Sequence, residues 1–167
     1  MPTEISRLPL HSKHQEKGAR FGAFGDWEVP LYYTSILEEH HTVRNHVGIF
    51  DISHMGEFFL EGNEAAANLN RLVPRNIPDL KIGSALYTQL TNDRGGIIDD
   101  IIVYRLSYKR FLLIVNAGNV AKDAAWIQSQ ISGDVKFTNA TEHLGLLAVQ
   151  GPNSQKLMEK FVKVSGI

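Results

Sequence analysis

The segment Gly95-Gly96-Ile97-Ile98-Asp99-Asp100-Ile101-Ile102-Val103-Tyr104 joins a turn to an apolar strand and contains two adjacent carboxylates. The glycine pair follows Asn92-Asp93-Arg94 and predicts a hairpin turn, because glycine adopts positive φ without steric cost. The β-branched residues after the turn predict a strand over residues 97–106. Residues 84–90 are expected to pair with that strand, so the segment predicts an antiparallel hairpin.

The two carboxylates of this strand are expected on opposite faces of the sheet, because side chains alternate along a strand. Ile97, Ile101 and Val103 should share the face of Asp99, and Ile98, Ile102 and Tyr104 that of Asp100. Burying even a neutral polar group without a partner costs roughly 2–7 kcal/mol, so at least one acid should meet a donor, a ligand or solvent. One alternative is a structural acid tied to the hairpin backbone. The pattern favours a functional role for at least one of the two.

The rest of the chain mixes helices and strands without strict alternation, which predicts an α+β fold. Ser35 followed by Glu38 fits a capping box, and Asn63 and Asn119 are predicted as further helix caps. Helices are expected over residues 35–47, 63–72, 119–131 and 153–162, and further strands over residues 49–52, 57–61, 110–115, 135–139 and 144–150. Residues 8–30 carry three glycines and are expected to be irregular.

Composition excludes several classes of protein. The 167 residues are 43% hydrophobic and 21% charged, which is typical of a globular protein rather than a disordered one. A net charge of −1 argues against a nucleic-acid partner, which usually requires a basic face. The chain has no cysteine, no apolar run long enough to cross a membrane and no secretory signal in residues 1–17. A soluble cytoplasmic protein without a membrane partner is the expectation.

Other motifs carry weaker signals. Glu38, His40, His41 and His46 cluster on one predicted helix, but His41 and His46 are five residues apart and no HExxH motif is present. Metal-binding pairs on a helix need spacings of three or four, so surface histidines explain this cluster better than a metal site. The stretch Asn116-Ala117-Gly118-Asn119 follows an apolar strand. It fits a helix N-terminal turn and, equally well, an edge that binds a polar ligand.

Five segments together resemble the T-protein family of the glycine cleavage system. Their order and spacing match along nearly the whole chain from about Leu8, and the motifs D-[IV]-S-H-M-G-E and G-G-x-x-D-D are specific to folate-binding proteins of this kind. The segments are Trp27-Glu28-Val29-Pro30-Leu31-Tyr32-Tyr33, Glu38-Glu39-His40-His41-Thr42-Val43-Arg44, Gly48-Ile49-Phe50-Asp51-Ile52-Ser53-His54-Met55-Gly56-Glu57, Asn92-Asp93-Arg94-Gly95-Gly96-Ile97-Ile98-Asp99-Asp100 and Val115-Asn116-Ala117-Gly118-Asn119.

The resemblance implies a tetrahydrofolate-dependent aminomethyltransferase. Such proteins take the aminomethyl group carried on the lipoyl arm of the H-protein, release ammonia and pass the one-carbon unit to tetrahydrofolate. The family uses no metal, and its folate lies in a central channel through three domains. The partners implied are therefore the lipoylated H-protein and tetrahydrofolate, with no nucleic acid.

The resemblance also implies roles for particular residues. The aspartate that matches Asp100 lies near the folate nitrogens, where a carboxylate orients the folate and stabilises developing positive charge. Whether it also moves a proton is left open, and Asp99 is then expected to face away as a structural acid. The positions expected to bind the folate are Met55, Tyr87, Asp100, Ile102 and Asn116.

Family members continue well beyond the position of Ile167, and the further part supplies a glutamate and an arginine that grip the folate. Residues 50–139 are expected to form the middle domain, residues 1–49 the N-terminal part of the first domain, and residues 140–167 the start of its returning segment. Two hypotheses follow. The chain is an N-terminal portion of an aminomethyltransferase, completed by a C-terminal half or a second subunit, or it is a non-catalytic folate-binding or partner-binding half-protein.

Overall fold

The computed structural model describes residues 5–163, which divide into two compact units. One unit combines residues 5–54 with residues 145–163, and the other is Met55–Leu144. Both boundaries of this unit lie five residues later in the chain than those of the predicted middle domain, residues 50–139. The assignment of that domain to the family fold stays a prediction. Within the described residues, no helix is both long and apolar enough to cross a membrane.

The unit formed by both ends of the chain contains two small sheets and three helices. Its first sheet has the order β1-β3-β2, and its second pairs β4 with β10 in antiparallel fashion. The elements are β1 (Ser6–Arg7), α1 (His11–Glu16), β2 (Arg20–Phe24), β3 (Trp27–Tyr32), α2 (Ile36–Asn45), β4 (Gly48–Asp51), β10 (Leu147–Gln150) and α5 (Ser154–Met158).

The expectation that residues 8–30 are irregular is wrong, because this stretch forms α1, β2 and most of β3. Gly18 and Gly25 lie in turns between short elements, and Gly22 lies within β2. Gly25 has φ +58° and lies in the tight turn that connects the antiparallel strands β2 and β3. A left-handed residue in a two-residue hairpin loop is a position that glycine fills without strain.

The predicted N-terminal cap of α2 is confirmed, with one change of partner. The side chain of Ser35 accepts a hydrogen bond of 3.2 Å from the backbone N–H of Glu38. The returning carboxylate comes from Glu39, whose Oε1 accepts from the backbone N–H groups of Tyr33 at 2.6 Å and Thr34 at 2.8 Å. A capping box would place the Glu38 carboxylate on the backbone N–H of Ser35. Here the Glu39 carboxylate instead accepts from the two residues that precede the cap.

The unit Met55–Leu144 contains a five-stranded sheet of order β6-β7-β8-β5-β9, in which every neighbouring pair is antiparallel. The predicted hairpin is confirmed, with Gly95 at φ +77° in its turn. The elements are β5 (Gly56–Glu61), α3 (Ala65–Leu72), β6 (Ala85–Thr91), β7 (Ile97–Ser107), β8 (Arg110–Val115), α4 (Val120–Gln130) and β9 (Lys136–Asn139), with a short 3-10 helix at Ala117–Asn119. The mixture confirms the predicted α+β class.

One face of this sheet carries the hydrophobic core together with α3 and α4. Alternate residues of the strands and one stripe of each helix are buried, as the periods of strand and helix require. The core residues include Phe58, Leu60, Leu69, Leu72, Leu90, Ile101, Val103, Phe111, Leu113, Val115 and Ile127. The opposite face of the sheet therefore presents the intervening residues, among them Asp100 and Ile102.

A bulge near the start of β7 changes the predicted alternation. Leu90 pairs with Asp99 but Thr91 pairs with Ile97, so Ile98 is an extra residue in this strand. Ile98 packs against the core, whereas the side chain of Ile97 is 69% exposed. The expectation that Ile97 shares the buried face of Asp99 is therefore wrong, and the alternation begins at Asp99.

Two asparagines predicted as helix caps bind tertiary partners instead. The side chain of Asn63 donates to the Asp134 carboxylate, and the helix α3 starts after Glu64 without a side-chain cap. Asn119 donates its side-chain N–H to Asp99, and α4 also lacks a side-chain cap. An asparagine amide therefore serves here to connect distant segments.

Candidate functional site

The predicted folate-binding residues come together on neighbouring strands of the sheet in Met55–Leu144. Tyr87 of β6 lies directly opposite Ile102 of β7, and Asp100 is two residues away on the same face of β7. Gly56 and Val115 form the last residue pair between β5 and β8. Met55 precedes Gly56 and Asn116 follows Val115, so these two residues lie next to each other just past the end of the pairing. Directly opposed residues of antiparallel strands share a face, so the strand pairing brings these side chains to one end of one sheet face.

Asp100 is exposed and is held through both of its carboxylate oxygens. The hydroxyl of Tyr87 donates to Oδ2 at 2.9 Å, and the side-chain N–H of Asn116 donates to Oδ1 at 3.2 Å. The hydrogen bond to Asp100 and its negative charge raise the pKa of the Tyr87 hydroxyl, which keeps the hydroxyl in its donor form. A carboxylate fixed at two oxygens and open to solvent is well placed to meet a ligand.

Asp99 has the opposite surroundings, as the alternation of the strand predicts. Its side chain is 5% exposed, and it accepts from the backbone N–H of Asn116 at 3.1 Å and the side-chain N–H groups of Asn116 and Asn119 at 2.9 and 2.7 Å. Burial alone raises the pKa of Asp99, but hydrogen bonds from Asp123, Asn116 and Asn119 outweigh it and lower the pKa. Asp99 is therefore a buried anion with a complete set of donors.

Asn116 connects the two acids. One side-chain N–H group is within hydrogen-bonding distance of Asp99 Oδ1 and of Asp100 Oδ1, and it also reaches the Asp100 carbonyl oxygen at 3.1 Å. The residues after it form the 3-10 helix that leads into α4, so the stretch is a helix N-terminal turn. Its asparagine side chains are at the same time part of the acid site.

Asp123 of α4 belongs to this site, although the sequence reasoning missed it. Its side chain is fully buried and contacts Asp99, and burial, followed by the hydrogen bond and charge of Asp99, raises its pKa to about 7. A signal was present in the sequence. Asp123 lies on the helix stripe of Val120 and Ile127, both of which contact the core, and a carboxylate in an apolar stripe requires a partner.

Glu57 is a second buried acid that the sequence reasoning missed. Strand pairing aligns it with Ile114 and, through Ile114, with Ile102, so it lies on the Asp100 face of the sheet. Its side chain is 1% exposed, and neither carboxylate oxygen receives a hydrogen bond from residues 5–163. Burial raises the pKa of Glu57 to about 7. The alternation of β5 contained the signal, since Phe58 and Leu60 take the core face.

The chemistry of the site suits a ligand with an apolar body and a positively charged reacting centre. Met55 and Ile102 are half-buried apolar groups, and Tyr87 is 62% exposed. The nearby cation Lys122 is engaged, because its ammonium group donates to the Ile98 carbonyl oxygen at 2.7 Å. Asp100 therefore supplies negative charge at an exposed position, and a carboxylate so placed is able to stabilise positive charge on a bound molecule.

Comparison with a solved protein identifies the fold. The crystal structure of glycine cleavage system aminomethyltransferase T from Bartonella henselae matches 93% of this chain with a TM-score of 0.84 and 38% sequence identity. The match covers 43% of that protein's chain. At this identity and this score the chain has the T-protein fold over the part that it spans.

Sequence comparison gives the family. Residues 10–166 match the family described as GCVT N-terminal domain, and the chain belongs to this family. Curated aminomethyltransferases from Halothermothrix orenii and Thermus thermophilus are 44% and 45% identical to it, each over 161 residues that make up 96% of the chain. Those residues cover 45% and 46% of the two relatives, so the chain spans somewhat less than half of their length.

Proposed function

We propose that this chain is the N-terminal portion of a tetrahydrofolate-dependent aminomethyltransferase of the glycine cleavage system. The reaction takes the aminomethyl group from the lipoyl arm of the H-protein, releases ammonia and passes the one-carbon unit to tetrahydrofolate. The observation that carries the proposal is the exposed Asp100 carboxylate, held by Tyr87 and Asn116 beside Ile102, in a chain of this family.

Each proposed site residue has a task that its surroundings support. Asp100 orients the folate and stabilises positive charge near the nitrogens that receive the carbon. Tyr87 offers an exposed ring for stacking on an aromatic ligand, and its hydroxyl keeps the Asp100 carboxylate in place. Met55 and Ile102 provide apolar contact for the ligand body. Asn116 holds Asp100 from the other side. Tetrahydrofolate, when bound, supplies the nitrogens that accept the one-carbon unit.

The proposal extends to the organisation and partners of the protein. Residues 50–139 form the middle domain of the family fold, and residues 1–49 and 140–167 belong to the first domain, a division that the compact unit Met55–Leu144 supports. The lipoylated H-protein is the donor partner. A glutamate and an arginine in the C-terminal half of the enzyme complete the grip on the folate. The reaction takes place in the cytoplasm.

Two measurements test this function. Turnover is measured with the chain completed by the C-terminal portion of a relative, and tetrahydrofolate binding is measured by calorimetry on the 167-residue chain and on the completed protein. Asp100→Asn should lower turnover by about 10²–10³-fold, because it removes a charge aimed at the reacting centre. Asp93→Asn is the matched control, since Asp93 is an exposed acid in the turn of the same hairpin.

Each result has a definite meaning. Unchanged turnover in Asp100→Asn would overturn the role of Asp100, provided that Asp93→Asn is also unchanged. Saturable folate binding without transfer by the completed protein would replace the aminomethyltransferase with the non-catalytic folate-binding alternative. Loss of turnover in both variants would indicate a general effect of charge on folding, which the unfolding transition of each variant would reveal.

A further inference from the structure

Behind Asp100 lies a buried carboxyl group that the proposed chemistry does not use. Asp123 projects from α4 and is fully buried, and no N–H or O–H donor among the described residues bonds to either of its oxygens. Its polar partner is the carboxyl group of Asp99, with which it shares a hydrogen bond. A buried carboxyl that contacts only another carboxyl is satisfied when a proton lies between the two.

The donors around the two carboxyl groups favour Asp123 as the group that holds the proton. Two adjacent buried carboxylates repel each other, so they share one proton at neutral pH and titrate as a coupled pair. Asp99 accepts three N–H bonds, from the backbone of Asn116 and the side chains of Asn116 and Asn119, and these bonds stabilise its anion. Asp123 has no such donors, and burial raises its pKa to about 7. The neutral Asp123 hydroxyl therefore donates to the Asp99 carboxylate.

The charged groups around this pair favour the same assignment. Lys122, on the same helix, lowers the pKa of Asp123, but its ammonium group bonds to the Ile98 carbonyl oxygen and does not neutralise the carboxyl. Two other titratable groups, Asp100 on β7 and Tyr87 on β6, lie nearby but on the far face of the sheet, and do not face the pair. Neither supplies a positive charge, so no described cation replaces the proton.

A chain of hydrogen bonds leads from Asp123 on α4 to Asp100 on the opposite face of the sheet. Asp123 donates to Asp99, Asp99 accepts from Asn116, and the amide of Asn116 reaches Asp100. We propose that Asp123 is a positioning residue for the folate site, which acts as a neutral acid on Asp99 and through Asn116 sets the position of Asp100. The proposal rests on the proposed function of Asp100. When Asp123 loses its proton, repulsion displaces Asp99 and weakens the hold of Asn116 on Asp100.

The first test needs neither a variant nor a folate. Carboxyl carbon and side-chain amide resonances of the 167-residue chain are followed by NMR from pH 5 to pH 9. The carboxyl of Asp123 should titrate near pH 7, and the side-chain N–H signals of Asn116 should shift with the same midpoint. Titration of Asp123 below pH 5, or Asn116 signals that do not follow it, would overturn the inference even if tetrahydrofolate binds.

The second test measures folate affinity and turnover of the completed protein as a function of pH. The wild-type affinity should fall about fivefold between pH 6 and pH 8.5, the effect of weakening one hydrogen bond. In Asp123→Asn the amide still donates to Asp99 but does not titrate, so affinity should be retained and its pH dependence lost. Asp123→Leu, which has similar volume and no donor, should show the weaker affinity at every pH.

Glu57→Gln is the matched control, because Glu57 also has a pKa near 7 but makes no contact with Asp99. Its pH profile should keep the wild-type midpoint. A pH dependence that persists in Asp123→Asn and disappears in Glu57→Gln would assign the titration to Glu57 and overturn the inference. Absence of folate binding by the completed wild-type protein would instead overturn the proposed function, and the NMR titration would then decide on Asp123 alone.

Discussion

Asp99 and Asp100 are consecutive residues of one strand, yet their carboxyl groups have opposite surroundings. Asp99 faces the core side of the sheet, where it is 5% exposed and accepts three N–H bonds. Asp100 faces the other side, where it is exposed and accepts from Tyr87 and Asn116. The comparison shows that the face of the strand decides what a carboxyl group can do. One acid stabilises the fold, and the other is available to a ligand.

The two acids with raised pKa values, Asp123 and Glu57, also lie on opposite faces of the sheet. Asp123 lies with Asp99 on the core side and has a carboxylate as its polar neighbour. Glu57 lies on the Asp100 side, and its carboxylate oxygens have no hydrogen-bond partner within residues 5–163. Burial raises both pKa values to about 7, but only Asp123 has a polar group that benefits from its proton. Replacing each of these acids by its neutral amide therefore has different consequences for the site.

The largest expected effect on stability comes from replacing the buried acid. Asp99→Ala leaves the backbone N–H of Asn116 and the side-chain N–H of Asn119 without an acceptor and removes the polar partner of Asp123, which should lower the free energy of unfolding by about 2–4 kcal/mol. Asp100→Ala should lower it by less than about 1 kcal/mol, since Asp100 is exposed. Urea denaturation at pH 7 measures both. Equal losses would contradict the division of roles between the two faces.

This division could be predicted in part from the sequence. The glycine turn and the β-branched residues after it were enough to predict the hairpin. The alternation of side chains along a strand was enough to predict that Asp99 and Asp100 lie on opposite faces. The prediction of five residues that bind folate came from family resemblance and not from spacing. The pairing of Asp123 with Asp99 depends on how α4 packs on the sheet, and residue spacing along the chain does not contain that information.

The failures of sequence reasoning also have physical causes. The strand β1 pairs with residues 27–28 of β3, and β4 pairs with β10 about a hundred residues later, so neither pairing has a local signal. Asn63 and Asn119 are residues of a type that often caps helices, but their side-chain amides donate to the carboxylates of Asp134 and Asp99 on other segments. Local propensity decides such positions only when no tertiary partner competes.

An intermediate effect is expected from Glu57, and it depends on pH. The folded-state pKa of about 7 lies above the unfolded value near 4.5, so the folded protein binds more protons between these two values. Its contribution to stability is present below pH 4.5 and is lost as the pH rises through 7. Glu57→Gln removes the charge and should therefore raise the free energy of unfolding by about 1–3 kcal/mol at pH 8.5, with little effect at pH 4.5.

Urea denaturation of wild type and Glu57→Gln at several pH values measures this dependence. Glu61→Gln provides the control, because Glu61 lies on the same face of β5 but is partly exposed and paired with Arg110 at 3.0 Å. Its effect should vary little between pH 6 and pH 8.5. A difference between wild type and Glu57→Gln that is constant with pH would mean that Glu57 is ionised throughout, and the contrast with Asp123 would then fail.

The smallest expected effect distinguishes the two isoleucines at the bulge, where the alternation of β7 begins. Ile98→Ala should lower the free energy of unfolding by about 1–2 kcal/mol, because Ile98 packs against the core and is only partly buried. Ile97→Ala should change it by less than about 0.5 kcal/mol, since its side chain is 69% exposed. Thermal or urea unfolding of the pair measures the difference. A larger loss for Ile97→Ala than for Ile98→Ala would contradict the bulge. It would mean that the alternation of β7 runs unbroken from the hairpin turn, with Ile97 on the core face beside Asp99.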